Sequence, residues 1–137
     1  MNLAKTWSQN SKDPSSKIGA VAVRDGNVLA LGYNGFPKGL KDNDFRLNDR
    51  DTKYKLTVHA ELNVVYNAAK NGVSLEGSTM FIYGLPMCSD CALAMIQAGV
   101  KHIVLDQESV VRRKDWVEKW DITKSILKEA NIEWTIL

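Results

Sequence analysis

Residues 79–105, "TMFIYGLPMCSDCALAMIQAGVKHIVL", carry the element order on which the rest of the chain depends. The run through Tyr83 is rich in β-formers and predicts a buried strand. Gly84 and Pro86 then turn the chain. From Ser89 the apolar run Ala92, Leu93, Ala94, Met95 and Ile96 predicts a helix, with Ser89 or Asp90 as its cap and Gly99 as its stop. "KHIVLD", residues 101–106, reads as a second strand. Strand, helix and strand in that order need a crossover, so the two strands pair in parallel.

A further unit follows. "KDWVEKWDITKSILKEA", residues 114–130, spaces Trp116, Val117, Trp120, Ile126, Leu127 and Ala130 as a helix does, and "IEWTIL", 132–137, closes as a strand. Working back towards the N-terminus, "IGAVAV" (18–23) and "NVLALGYN" (27–34) flank Asp25-Gly26, a strong hairpin signal. "NLAKTWSQNS", 2–11, predicts a short first helix that "KDPSSK" interrupts. Residues 59–70 look helical and end at Asn71-Gly72. Between them, 35–57 is a long polar segment, and a segment of that length is functional, disordered or partly helical. The sum is an α/β architecture of three layers: a mixed five-stranded sheet with helices on both faces, in one domain spanning 1–137. The helix at 89–98 is apolar on nearly every side, so it requires a second surface besides the sheet, either another helix or another subunit.

Composition narrows the function. With 45% hydrophobic and 25% charged residues the chain reads as a soluble globular protein rather than a disordered or fibrous one. A formal net charge of +2 falls short of the basic stripe of a dedicated nucleic-acid binder. No window approaches the roughly 18 apolar residues of a membrane span, and the start "MNLAKTWSQNSKDPSS" lacks a signal-peptide pattern, so a cytoplasmic address is expected.

Four residues need a joint explanation: His59, Glu61, Cys88 and Cys91. Two cysteines placed at random in this length would stand three apart only about 1–2% of the time, so their spacing carries information. At a strand-to-helix junction they share one face, and the helix N-terminus favours the thiolates that zinc binds. Two sulfurs leave zinc short of ligands, and His59 is a third of suitable type. Three protein ligands keep a fourth position open for water, the catalytic arrangement rather than the closed structural one. Glu61 is then the candidate general base. Positions two apart do not share a helix face, so His59 and Glu61 must lie at the helix entrance. Each residue alone has an ordinary explanation; their joint occurrence at strand-to-helix junctions does not. His102 has no such company and reads as structural.

At these residues the chain resembles the zinc-dependent cytidine and deoxycytidylate deaminase superfamily, whose signature is H-x-E followed by P-C-x-x-C. "SKDPSSKIGAVAV" (11–23), "GYNGFPKGLKD" (32–42), "RLNDRDTKYKLTVHAELN" (46–63) and "CALAMIQAGVKHIVL" (91–105) are similar to deoxycytidylate (dCMP) deaminases in particular. The likeness covers about residues 3–105. It departs from the pattern at Met87, which stands between Pro86 and Cys88, and the chain lacks the extra ligands for the second zinc of some relatives.

The resemblance implies a cytidine-deaminase-like fold, one Zn2+ on His59, Cys88 and Cys91, and hydrolysis of dCMP to dUMP and ammonia, a step towards thymidylate. It implies that Glu61 moves protons among water, ring N3 and the exocyclic amine. Asn34 is expected at the sugar hydroxyl and the Ala60 backbone at the cytosine edge. For the 5′-phosphate the candidates are Ser15, Ser16 and Lys17, with Arg46, Arg50, Lys53 and Lys55 interleaved among acids that compete for them. The resemblance further implies a homo-oligomer, possible as a hexamer, with dCTP and dTTP as effectors. Within the fold the alternative is another free base, nucleoside or nucleotide, or a tRNA base. Two further readings are a C-x-x-C thiol-disulfide oxidoreductase, which leaves His59-Ala60-Glu61 unexplained, and a catalytically idle relative, against which the intact Glu61 argues.

Overall fold

Asp25 and Gly26 both adopt positive φ, 52° and 74°, so the chain reverses in two residues. The result is an antiparallel pair of β1 (Gly19–Arg24) and β2 (Asn27–Tyr33), with a register shift between Ala22 and Val23. The computed structural model describes residues 1–111 and 114–137. Around the hairpin it forms α1 (Asn2–Ser8), α2 (Asp44–Asn48), α3 (Arg50–Leu56), α4 (Ala60–Lys70), β3 (Thr79–Tyr83), α5 (Ser89–Ala98), β4 (His102–Leu105), α6 (Gln107–Val111), α7 (Lys114–Glu129) and β5 (Glu133–Ile136). The sheet order is β2-β1-β3-β4-β5. β1 runs antiparallel to β2 and β3, whereas β3, β4 and β5 run parallel, as the strand–helix–strand order predicts.

The pairing register sorts the side chains onto two faces. A Cβ added at Gly19 would meet the backbone of α1 at Ala4 and Ser8, and one added at Gly32 would meet α4 at Ala60 and Val64. Gly32 pairs with Ala20, the neighbour of Gly19, so α1 and α4 lie on opposite faces of the sheet. Glycine at both positions lets each helix backbone approach the strands closely. Met80, Ile82, Ile103 and Leu105 follow the Ala20 register and are fully buried in one cluster with Met95 of α5 and Trp120 and Leu127 of α7. Each such side chain contributes about 1.5–3 kcal/mol relative to exposure. The second surface that α5 requires is therefore α7, with α4 alongside.

Two local features differ from expectation or complete it. The N-cap of α5 is Cys88, not Ser89 or Asp90: residue 88 is still extended, at φ −80° and ψ 166°, and the helix begins at once after it. Asp90 falls in the first turn, where its charge opposes the dipole favourably. The polar segment is largely α2 and α3, capped by Asn43 and Asp49, whose side chains accept from the N–H groups of Arg46 and Thr52. A two-way backbone bridge between Gly35 and Val58 ties the segment's ends together and delivers the chain directly to His59. No helix among the described residues is long and apolar enough to cross a membrane. His102 sits at the start of β4, 2.8 Å from the Thr135 hydroxyl on β5, a contact within the sheet.

Candidate metal centre and active site

His59 is the N-cap of α4, and its side chain accepts no helix N–H. The imidazole turns instead towards α5. Its Nδ1 lies 3.3 Å from Cys91 Sγ and 3.5 Å from Cys88 Sγ. Tetrahedral ligands at about 2.0 Å (N) and 2.3 Å (S) from zinc stand roughly 3.5 Å apart, so the observed spacings fit that ion. One nitrogen and two sulfur ligand atoms lie within 4.8 Å of one another, a donor set suited to zinc, and three ligands leave its fourth position open. The ligands sit where the N-termini of α4 and α5 converge, and the positive ends of both dipoles favour thiolate.

The proton affinities of the cluster are pulled apart. Cys88 is held down at about 4, chiefly by the hydrogen bond from the Cys91 thiol, which outweighs burial, with His59 adding to it. Cys91, holding the proton of that bond and buried, is pushed up. His59 is raised to about 9, first by its hydrogen bond to the Cys88 sulfur. Without an ion the cluster is thus a thiolate and imidazolium sharing protons that a divalent cation would displace.

Glu61 lies in the first turn of α4, is 4% exposed, and stays outside the three-ligand cluster. With His59 one step before the helix and Glu61 just inside it, both line the same cavity. Burial raises Glu61 to about 7, against the opposing pull of His59. The rest of the cavity lining is Asp13, Ser15, Ser16, Ile18, Asn34, Lys53, Tyr54, Thr57, Ala60, Leu85, Pro86 and Trp116.

Of the residues expected at the substrate, Ser15, Ser16, Asn34, Lys53 and Ala60 line this cavity. Both amide atoms of Asn34 are already bound: Oδ1 accepts from the Ile18 N–H at 2.8 Å and Nδ2 donates to the Ser16 carbonyl at 2.9 Å. Asn34 thereby stitches the end of β2 to the 12–18 loop. Lys17 is not among the lining residues; it is exposed, with Nζ 3.5 Å from the Gln9 carbonyl. Arg46 donates to the Lys41 carbonyl and Arg50 lies over the Tyr54 ring. Lys53 is buried and turned inwards, 3.1 Å from both Asp13 Oδ1 and Ser15 Oγ. Trp116, Tyr54 and Leu85 were not singled out by sequence reasoning. Trp116 was visible only as one apolar position of a helical stripe, and that pattern cannot separate a core-facing side chain from a cavity-facing one.

The chain belongs to the deaminase family described as the cytidine and deoxycytidylate deaminase zinc-binding region, whose profile matches residues 1–107. Its similarity extends to individual members. Deoxycytidylate deaminase of Homo sapiens is 39% identical over 110 residues, 76% of this chain and 60% of that protein. An uncharacterized deaminase in the luxG 3′ region of Aliivibrio fischeri is 31% identical over 135 residues, 98% of this chain and 86% of that one. The crystal structure of dCMP deaminase from the cyanophage S-TIM5 in complex with dCMP and dUMP superposes with a TM-score of 0.76 at 28% identity, covering 99% of this chain and 92% of that one. The match thus spans three-fifths of the mammalian relative's length. The fold is the cytidine-deaminase-like one, and the thiol-disulfide oxidoreductase reading finds no support: His59 stands with the two cysteines as a third metal ligand would.

Proposed function

We propose that this chain, as a single deaminase domain over 1–137, hydrolyses dCMP to dUMP and ammonia, with one zinc ion held by His59, Cys88 and Cys91. The observation that carries the reading is that His59, one of the three clustered ligands, and the buried Glu61 carboxyl line one cavity. When bound, zinc supplies Lewis acidity that brings the pKa of water from about 15.7 towards neutral.

Glu61 holds and moves the protons. Its carboxylate takes one from the attacking water and gives it to ring N3, which makes C4 electrophilic. It then carries a proton to the exocyclic amine, which leaves as ammonia. Burial favours the protonated form of this carboxyl, which suits a group that must take up a proton and then give it away. The Ala60 backbone meets the cytosine edge. Asn34 Oδ1, beyond its bond to Ile18, keeps a lone pair for a sugar hydroxyl. Ser15 and Lys53 read the 5′-phosphate in preference to Lys17, because they line the cavity and Lys17 does not. The reading includes a cytoplasmic homo-oligomer, with a hexamer as the expected form and dCTP and dTTP as effectors. The exposed Tyr66 and Leu93 on the neighbouring α4 and α5 support association.

The test is ammonia release by zinc-loaded protein from dCMP, deoxycytidine and cytosine. The expected result is strong preference for dCMP. Equal use of deoxycytidine would remove the phosphate role, and no release from any of the three would end the deaminase reading.

A further inference from the structure

Of the two cysteines in the ligand cluster, one is held by a helix and the other is not. Cys91 lies in the first turn of α5, whereas Cys88 is the extended residue before it. The place of Cys88 is therefore set by the peptide that joins it to Met87, in which the Met87 carbonyl and the Cys88 N–H share one rigid plane. Met87, which separates Pro86 from the first cysteine, is fully buried. No backbone N–H among the described residues donates to its carbonyl. The Thr123 hydroxyl does, across 3.0 Å in a buried setting. Thr123 belongs to α7, beyond residue 107, where the matched family segment ends. It stands between Trp120 and Leu127 on the buried stripe of that helix, a polar group in an apolar row. Its other neighbour, the Lys119 carbonyl at 2.9 Å, already has the helical N–H four residues on as a donor. The Met87 carbonyl is thus the acceptor that depends on this hydroxyl.

We propose that Thr123 is a positioning residue for the metal centre: by holding the Met87 carbonyl, its hydroxyl orients the peptide that presents Cys88 to the ion. The inference rests on the proposed zinc site. Without the hydroxyl a buried carbonyl is left unpaired, and rotation of that peptide towards another donor relieves it, carrying the Cys88 sulfur along. Groups that orient a metal's ligands act on its affinity without touching the ion.

The test compares wild type with Thr123→Val, which keeps the shape and loses the hydroxyl, and with Thr123→Ser, which keeps the hydroxyl. The control is Thr135→Val, which removes the hydroxyl that meets His102 at 2.8 Å within the sheet. Zinc affinity is read by competition with a chelating dye. Cobalt(II) is then loaded in place of zinc, so that thiolate-to-cobalt absorption reports the ligand geometry. Thr123→Val should bind zinc about 10- to 100-fold more weakly and shift the cobalt absorption. Thr123→Ser and Thr135→Val should match wild type in both. If Thr123→Val fails to fold, Thr123→Ala lacks the same bond and takes its place. Wild-type affinity in Thr123→Val, or weaker zinc with an unshifted cobalt spectrum, overturns the positioning role and leaves the zinc site standing. An equal loss in Thr123→Ser also overturns it, since packing and not the hydroxyl would then be responsible. A wild type that holds no zinc against the dye overturns the zinc site, and this role with it.

Discussion

Two polar clusters border the cavity, and they differ in what each needs from outside. At His59, Cys88 and Cys91, three ligand atoms crowd within 4.8 Å and pull one another's proton affinities in opposite directions. At Asp13, Ser15 and Lys53 the charges cancel internally. Asp13 Oδ1 accepts from the N–H groups of Ser15 and Ser16 at 2.7 and 3.1 Å and from Lys53 Nζ at 3.1 Å. The first arrangement is completed by a cation. The second is complete within the chain, and of the three donors of Lys53 two point at Asp13 and Ser15, which leaves one for a ligand. Chemistry that needs an ion and recognition that needs a rigid cradle are thus built in opposite ways.

Removing a ligand sulfur should produce the largest effect. Cys91→Ala is expected to lose tightly held zinc and, with it, deaminase activity; metal analysis after dialysis, read beside ammonia release, tests both together. Full zinc occupancy in this variant would remove Cys91 from the ligand set. Glu61→Gln should come next: turnover falls about 10²- to 10⁴-fold while zinc stays near one ion per chain. A matching loss of zinc would mean that Glu61 is a ligand and not a proton carrier.

The self-contained cluster responds differently. Lys53→Met should raise the KM for dCMP without a comparable change for deoxycytidine. It should also lower stability by about 1.5–3 kcal/mol, because the half-buried Asp13 carboxylate loses a charged hydrogen-bond partner while keeping the N–H groups of Ser15 and Ser16. Asp13→Asn combined with Lys53→Met should recover much of the stability but not the dCMP affinity. Recovery of both would reduce Lys53 to a structural partner.

The smallest effect is a pH dependence confined to zinc-free protein. Glu61 titrates at about 7 in the fold against an ordinary value of 4.5, so the folded state holds its proton longer than the unfolded chain does. The stability of wild type relative to Glu61→Gln should therefore be greatest below pH 4.5, fall as pH rises to about 7, and level off above. The slope is at most about 1.4 kcal/mol per pH unit. Chemical denaturation of both proteins at several pH values measures it, and taking the difference removes the opposing titration of Cys88. A flat difference would place the Glu61 carboxyl in contact with water.

How much of this was legible beforehand varies with the range of the interaction. The two-residue reversal at Asp25-Gly26 depends on backbone chemistry that those residues alone supply. The parallel β3-β4-β5 order follows from the alternation of strand and helix. The C-x-x-C spacing and His-Ala-Glu carried the metal site because ligand chemistry demands those residue types. By contrast, the α5 cap fell one residue earlier than expected, because the backbone is still extended at Cys88 and turns helical at once after it, and local capping preference cannot register that. Lys17 and Lys53 were equivalent basic residues until α3 turned one inwards and the 12–17 loop left the other against the Gln9 carbonyl.

By itself the order of residues determined the sheet, the bounds of α4, α5 and α7 to within a residue, and the kinds of side chain able to hold zinc, since these rest on periodicity, turn chemistry and ligand type over a few neighbouring positions; it carried the first helix three residues too far and set no bounds for α2, α3 or α6. Only the tertiary structure decided that α1 and α4 take opposite faces, that Lys53 points into the cavity, and that Trp116 stands 6.5 Å from His59. Those outcomes join residues tens of positions apart, and packing between elements, not local preference, selects which side of each element faces the site.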